Sequence, residues 1–386
     1  MNFIPYGRQS IDSEDIKEVI KTLKSQLLTQ GPKVGEFEQA VAKYCGVKYA
    51  VAVSNGTAAL HLACLAAGLG ENNEGITSPI TFVASSNCML YCNAKPVFAD
   101  IENETANISI KDIEKKITPR TKVLIPVHFA GHPCNMPQIY TLAKKHKLTV
   151  IEDAAHALGA KYKHNNKWIK VGSCAHSDMT ILSFHPVKHI TTGEGGMILT
   201  NRRDMYDKLI KLRSHGITKS NFINNPDGEW YYEMQELGYN YRITDIQCAL
   251  GISQIKKLDS FINKRKEIVK KYNKIFKNNP FFSTPVENEC YSSSYHLYVV
   301  KLKPNLFSKR KLIVSKLKEE HIGTQVHYIP VYKQPYYKSI GYKSNICANA
   351  ENYYKAALSL PLFPSMTNSE VEYVAKTVLK VINDVK

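Results

Sequence analysis

The chain has 386 residues, 44% of them hydrophobic, which allows two domains with packed cores and argues against a disordered protein. Its formal net charge of +17 at pH 7 suits a polyanionic partner. Because the lysines are spread along the chain and many fall on polar faces of predicted helices, we expect a site for a small polyanion such as a nucleotide, and no nucleic-acid surface.

Neither a membrane span nor a metal site is indicated. No run of about 18 apolar residues occurs, and the opening segment MNFIPYGRQSIDSED lacks the basic and apolar regions of a signal peptide, so we expect a cytoplasmic protein. The nine cysteines form no CxxC pair; Cys88 and Cys92, four apart on a predicted helix, lack partners for zinc. We therefore expect reduced, buried thiols.

Two helices are predicted before the first strand. Asp12 or Ser13 can cap the first helix, and its apolar residues fall on one face: Ile16, Val19, Ile20 and Leu23. The second helix lies in GEFEQAVAKYCG, and Gly46 ends it. Its inward residues are expected to be Phe37, Val41 and Tyr44.

Strands and helices then alternate. The predicted strands are YAVAV, KPVFADI, KVLIPVHF, LTVIEDA, SDMTILSF and GGMILTN. The predicted helices are TAALHLACLAAG, TFVASSNCMLYCN and MPQIYTLAKKHK. Alternation with apolar strands predicts an α/β fold with a mostly parallel central sheet and helices on both faces.

After about residue 245 the pattern changes, which predicts a large domain at 1–245 and a smaller α+β domain at 246–386. A long helix from about residue 244 to 279 joins them. The smaller domain would contain strands YHLYVVKL and GTQVHYI, and a last helix with one apolar face formed by Val371, Val374, Val378 and Val381.

Four segments of the large domain carry candidate functional residues, and ligands of open α/β sheets bind beyond the carboxyl ends of strands. In VAVSNGTAAL, a turn with Gly56 and Thr57 opens a helix whose N-terminus suits a phosphate, although an ordinary strand-turn-helix is equally consistent. In LTVIEDAAHALGA, Asp153 ends an apolar strand, where a carboxylate needs a cation unless it caps the next helix.

The third segment, SFHPVKHITTGEGG, holds a lysine between two predicted strands. Ser183 lies five residues before Lys188, and the glycines that follow allow tight turns. A lysine desolvated in such a connection has a lowered pKa and can act as a nucleophile. In the fourth segment, ELGYNYRITDIQCALG, Asn240 precedes the long helix.

In their order and spacing these segments resemble fold-type I enzymes that use pyridoxal 5′-phosphate (PLP). The motifs EDAAHALGA, SFHPVKHITTGEGG, LRSHGI and GYNYRITDIQCALG are similar to those of the DegT/DnrJ/EryC1/StrS nucleotide-sugar aminotransferase family. The resemblance runs from LTQGPKVGEFE to SLPLFPSM. It implies an enzyme that moves an amino group through PLP and its pyridoxamine phosphate form.

The resemblance also implies residue roles at the cofactor. Lys188 would form the Schiff base and shuttle the proton, and Asp153 would keep the pyridine nitrogen protonated. Phe82 would stack on the ring. His156 would lie near the phenolic oxygen of the ring, with a packed core histidine as the alternative.

The cofactor phosphate would be held by Gly56, Thr57 and Ser183. Asn240 would reach the phosphate of the neighbouring subunit's cofactor, which implies a homodimer with shared active sites. Five residues match positions that line the sugar-nucleotide cleft of relatives: Tyr6, Thr29, Arg213, His327 and Tyr328. Of these, Arg213 could pair with the diphosphate or be an ordinary surface arginine.

RSHGI, VHYIPVY and the SFHPVK form of the lysine motif are most similar to the branch of the family that serves pseudaminic acid synthesis. That branch implies a UDP-linked 4-keto-6-deoxy-hexosamine as substrate, amination at C4, and L-glutamate as donor. A dTDP-linked 3- or 4-keto-6-deoxy sugar stays open, because family members share the residues that serve PLP.

Two further alternatives are weighed. The sugar 3-dehydratases of the family carry histidine at the lysine position, whereas this chain has Lys188 followed by His189, which favours amination. A non-catalytic nucleotide-sugar-binding protein on this fold would not need both Lys188 and Asp153.

Overall fold

The structure is a computed structural model, and it describes residues 2–386. Its α-helices in chain order are α1 (Ser13–Leu23), α2 (Pro32–Cys45), α3 (Gly56–Ala66), α4 (Ala84–Tyr91), α5 (Ile110–Lys116), α6 (Met136–Lys145), α7 (Arg203–Arg213), α8 (Asp245–Ile275), α9 (Arg310–Glu319), α10 (Pro335–Ser339), α11 (Ala348–Ala356) and α12 (Asn368–Val385). Short 3₁₀ helices lie at Phe129–Gly131, Pro304–Lys309 and Val331–Lys333.

The strands in chain order are β1 (Tyr49–Val53), β2 (Glu74–Thr77), β3 (Lys95–Phe98), β4 (Thr121–Ile125), β5 (Thr149–Asp153), β6 (Lys161–His164), β7 (Lys167–Lys170), β8 (Met179–Ser183), β9 (Gly196–Thr200), β10 (Ile217–Thr218), β11 (Glu233–Met234), β12 (Phe282–Ser283), β13 (Tyr291–Ser292), β14 (Tyr298–Leu302) and β15 (Ala357–Leu360). Seven of them form the central sheet, in the order β1-β9-β8-β5-β4-β2-β3. Only β9 runs antiparallel to its neighbours in that sheet, which confirms the predicted mostly parallel sheet.

Helices cover both faces of this sheet, as predicted. Along β1, Ala50 and Ala52 belong to the core under α2, α6 and α8, whereas Val51 and Val53 belong to the core under α3, α4 and α7. Successive side chains of a strand point to opposite faces, so a continuously apolar strand feeds two cores at once.

The long helix α8 contributes to two hydrophobic cores. Its first half packs Cys248 and Leu258 into the core of the central sheet. Its second half packs Ile268 and Tyr272 against β14, β15, α9 and α12, where the predicted valine face of α12 is buried. The division into 1–245 and 246–386 stays a prediction, although the first half of α8 packs into the core of the central sheet.

The apolar face predicted for α1 is exposed. The exposed fraction of the residue is 53% for Ile16 and 53% for Leu23. The buried side of α1 faces α8 through Asp15, which lies 2.9 Å from Lys257 Nζ and accepts from Gln254 Nε2 at 2.7 Å. The polar contacts of Asp15 therefore hold this helix against α8, and its hydrophobic stripe stays on the surface.

The prediction of a strand at GTQVHYI is wrong. Residues 323–330 are irregular, with a single bridge between Gln325 and Ser359, and the strand beside β14 is β15 instead. His327 therefore lies in a loop. The sequence also failed to indicate β2 and the β6–β7 hairpin.

None of the nine cysteines is paired in a disulfide, and every one except Cys290 is buried. Among the described residues, no helix combines the length and apolar character needed to cross a membrane.

Candidate active site

A cleft of about 920 Å³ opens beyond the carboxyl ends of β5 and β8 and extends to the 325–329 loop. It brings together most of the residues singled out in the sequence: Tyr6, Gly56, Thr57, Phe82, Asp153, His156, Ser183, Lys188, His327 and Tyr328. The parallel strands deliver these side chains to one edge of the sheet, as expected for ligand sites in open α/β folds.

One wall of the cleft is the N-terminus of α3. Asn55 caps this helix by accepting a hydrogen bond from the Ala58 N–H at 2.8 Å. The backbone N–H groups of Gly56 and Thr57 lie in the first turn of α3. N–H groups in the first turn have no acceptor within the helix, so these two can donate to an anion. A Cβ at Gly56 would lie only 3.0 Å from Cβ of Ser183, and therefore glycine keeps a small cradle open between the turn and β8.

A second glycine supports this wall. A Cβ at Gly196, the first residue of β9, would overlap the backbone carbonyl of Asn55. The start of β9 can therefore pack against the turn only with glycine, which explains the end of the TTGEGG motif.

Asp153 is the last residue of β5 and is buried. Its Oδ2 accepts from the Ser85 hydroxyl at 2.6 Å, and its Oδ1 accepts from the Ala155 N–H at 3.1 Å. Burial raises the pKa of Asp153, and these hydrogen bonds together with the charge of Lys188 act in the opposite direction. A buried carboxylate on the wall of a cleft fits a ligand with a cationic ring nitrogen.

Lys188 lies in the connection between β8 and β9, where its backbone N–H donates to the backbone carbonyl of His185 at 2.9 Å. Burial lowers the pKa of its ammonium to about 8, although the nearby Asp153 carboxylate acts to raise it. A lysine with such a pKa is partly neutral near physiological pH, and the neutral amine is the form that attacks an aldehyde.

Two histidines and a tyrosine also line the cleft: His156, His327 and Tyr328. The Tyr328 hydroxyl lies 3.2 Å from Nε2 of His156, and the rings of His156 and His296 are 4.3 Å apart. Burial lowers the pKa of His156 well below its usual value, with the Lys188 charge as a second cause, so the ring is neutral. Nδ1 of His327 pairs with the Ser359 hydroxyl at 2.8 Å, and burial lowers its pKa to about 3.

Three of the predicted site residues lie outside the cleft. Arg213 Nη1 is 2.6 Å from a Glu38 carboxylate oxygen and 2.9 Å from the carbonyl of Ala52. Its guanidinium therefore already has partners within the chain. Thr29 is exposed and bridges to Thr244, and Asn240 is exposed and bridges to Ser214.

Residues that the sequence did not single out also line the cleft. Ser85, Tyr91 and Tyr241 stand near the α3 turn and Asp153, and Gln325 stands in the loop with His327. Ser85 follows Phe82 by three residues in TFVASS, but no local pattern marks its hydroxyl as facing Asp153.

The family model described as DegT/DnrJ/EryC1/StrS aminotransferase family matches residues 9–379. The chain belongs to this family. It is therefore an aminotransferase, and the fold-type I class predicted from the sequence is confirmed.

Curated relatives extend over almost the whole chain. The spore coat polysaccharide biosynthesis protein SpsC of Bacillus subtilis is 42% identical over 99% of this chain and 97% of its own length. The UDP-4-amino-4,6-dideoxy-N-acetyl-beta-L-altrosamine transaminase of Campylobacter jejuni is 41% identical over 99% of this chain and 98% of its own.

Solved structures agree with the fold. PseC of Helicobacter pylori, an aminotransferase of pseudaminic acid biosynthesis, superposes with a TM-score of 0.91 at 36% identity over 99% of this chain and all of its own. The PLP form of Spr1654 from Streptococcus pneumoniae gives a TM-score of 0.92 at 29% identity over the full length of both chains, and its PMP form also matches. The cofactor expected from the sequence is thus confirmed at the level of the family.

Proposed function

We propose that this chain transfers an amino group from L-glutamate to C4 of a UDP-linked 4-keto-6-deoxy-hexosamine, the reaction type of the pseudaminic acid pathway. One observation carries the proposal: Lys188, Asp153 and the N-terminus of α3 line a single cleft in a member of an aminotransferase family. The choice of sugar rests on the names of the Campylobacter jejuni and Helicobacter pylori relatives.

The residues of the cleft fit PLP. The α3 turn at Gly56 and Thr57 and the Ser183 hydroxyl would hold the phosphate, and Asp153 would face the ring nitrogen. When bound, PLP supplies an electron sink that stabilises negative charge at the carbon next to the migrating amine. Phe82, exposed at 59% on the cleft wall, offers its ring as a stacking surface.

Lys188 would hold the cofactor aldehyde and then move protons. Because burial lowers the pKa of its ammonium to about 8, the amine can both accept and return a proton near neutral pH. His156 stays neutral beside it, so it can take part in hydrogen bonds without adding a second positive charge.

The substrate would enter between the 325–329 loop and the α3 turn. Tyr6, His327 and Tyr328 line that part of the cleft and offer polar groups to a sugar. Arg213 and Thr29 lie elsewhere, and the ion pair with Glu38 favours a structural role for Arg213.

We further propose a homodimer with shared active sites in the cytoplasm. The exposed stripe of α1 is a hydrophobic surface that a second subunit can bury: Ile16, Ile20 and Leu23. Asn240 is exposed, so it is free to reach a neighbouring subunit. The free thiols support a reducing compartment.

The function is tested by supplying PLP and L-glutamate with keto-sugars carrying UDP, dTDP or GDP and identifying the products by mass spectrometry. We expect an amino-sugar from the UDP-linked 4-keto-6-deoxy substrate, and none from Lys188→Ala. A clear preference for a dTDP- or GDP-linked sugar would overturn the proposed substrate but not the amino transfer.

A further inference from the structure

A chain of three buried hydrogen-bonding groups runs along the wall of the cleft. Thr81 Oγ1 lies 2.7 Å from Ser85 Oγ, which lies 2.6 Å from Asp153 Oδ2. The exposed fractions are 3% for Thr81, 1% for Ser85 and 4% for Asp153. Water therefore does not compete for these contacts.

The direction of the chain follows from donor chemistry. An ionised carboxylate only accepts hydrogen bonds, so the single proton of Ser85 points at Asp153. Ser85 must then accept from Thr81. The carbonyl of Phe82, 3.4 Å from Ser85 Oγ, is a weaker competitor because it is more distant and uncharged.

Together with Ala155, this contact fixes both oxygens of Asp153. Oδ2 is held by Ser85 and Oδ1 by the Ala155 N–H, so the carboxylate plane cannot rotate without losing a hydrogen bond. Ser85 stands in the first turn of α4, and Phe82 lies just before that helix. The Ser85 hydroxyl thus links the segment that carries Phe82 to β5, the strand that carries Asp153.

We propose that Ser85 is a positioning residue, which holds Asp153 ionised and aligned toward the cofactor nitrogen and sets the place of Phe82. Thr81 orients the Ser85 hydroxyl. The inference rests on the proposed PLP site, and it does not depend on which sugar is the substrate.

The next residue offers a matched control. Ser86 is also buried in the first turn of α4, but its hydroxyl donates to the Val83 carbonyl at 3.0 Å and accepts from Tyr337 at 2.7 Å. It does not line the cleft. Removing either hydroxyl perturbs the same helix, and only removal at position 85 strips a donor from Asp153.

The experiment measures the dissociation constant of PLP by titrating its visible absorbance in the purified chain. A hydrogen bond to a charged group is worth about ten- to a hundredfold in an equilibrium, so we expect Ser85→Ala to bind PLP at least about tenfold more weakly. Ser85→Thr, which keeps the hydroxyl, should stay close to wild type, and Ser86→Ala should not change binding.

A double substitution separates positioning from folding. In an Asp153→Asn background, Ser85→Ala should weaken PLP binding by less than about threefold, because the charge it serves is gone. Equal losses in both backgrounds, or equal losses for Ser85→Ala and Ser86→Ala, would overturn the inference. A wild-type chain that does not bind PLP would overturn the proposed function as well, which distinguishes the two failures.

Discussion

The hydroxyl of Tyr328 lies 3.2 Å from Nε2 of His156, and this contact joins the loop after α9 to the segment after β5. Burial raises the pKa of Tyr328, so the phenol stays protonated and can donate to the imidazole. Nδ1 of His156 has no hydrogen-bond partner among the described residues. The contact therefore holds His156 as a neutral imidazole, with Nε2 accepting from Tyr328 and Nδ1 buried.

Loss of this hydroxyl should reduce turnover. For Tyr328→Phe we expect kcat/KM to fall by about tenfold, the value of one buried hydrogen bond, with the free energy of unfolding little changed. Tyr332→Phe is the matched control, because Tyr332 is buried and donates to Glu351 outside the cleft. Similar kcat/KM losses for both variants would contradict the role given to Tyr328.

Lys188→Ala should bind PLP and fail to transaminate. Acid–base catalysis by a side chain contributes about a hundred- to ten-thousandfold, and loss of the covalent anchor adds to this. Lys188→Arg keeps the positive charge and should be as inactive, since a guanidinium does not release its proton. Steady-state rates and the visible absorbance of each variant check this, and near wild-type turnover in either would rule the mechanism out.

The capture of PLP should depend on pH through Lys188. The neutral amine is the reactive form, and burial lowers the lysine pKa to about 8. The rate at which the visible band appears should therefore rise with pH, with a midpoint near 8. Since the Asp153 carboxylate raises this pKa, Asp153→Asn should move the midpoint to lower pH. Stopped-flow absorbance measures it; an unchanged midpoint in Asp153→Asn would contradict this coupling.

Arg213 should matter for stability more than for substrate binding. Its ion pair with Glu38 is largely buried, with 15% of each side chain exposed, so Arg213→Met should lower the free energy of unfolding by about 3 kcal/mol. Glu38→Gln should give a loss of the same sign, and KM for the sugar should stay within about threefold. A large rise in KM, with an unchanged free energy of unfolding in denaturant, would contradict this and indicate that Arg213 contacts the substrate.

The sequence predicted what local patterns determine. An apolar strand that ends in Asp153, a glycine turn before α3 and a lysine between two strands are all visible in short segments. The topology of the sheet brings those segments to one edge. The contact between Ser85 and Asp153 spans 68 residues, and that between Arg213 and Glu38 spans 175, so no local pattern could reveal either.

Local sequence pattern also could not predict which face of α1 is exposed. The apolar stripe of α1 has the periodicity of a buried face, yet the polar pairing of Asp15 with α8 decides which side is buried. An apolar stripe on the surface looks the same in sequence as one that faces the core of its own chain.

The shared active site can be tested by complementation. Asn240→Ala and Lys188→Ala should each be inactive alone, because one would lack a phosphate contact and the other the anchor. Mixed subunits contain one cleft with both residues intact, so activity should return to about a quarter of wild type at equal mixing. No recovery, in a mixture shown by light scattering to be dimeric, would contradict the shared site.

The central claim is tested most directly by following the visible absorbance of the PLP-loaded chain through both halves of the reaction. L-glutamate should bleach the band, and the UDP-linked 4-keto-6-deoxy-hexosamine should then restore it while an amino-sugar appears. A band that persists with glutamate, or that bleaches and is not restored by the UDP-linked sugar, would contradict the proposed transfer.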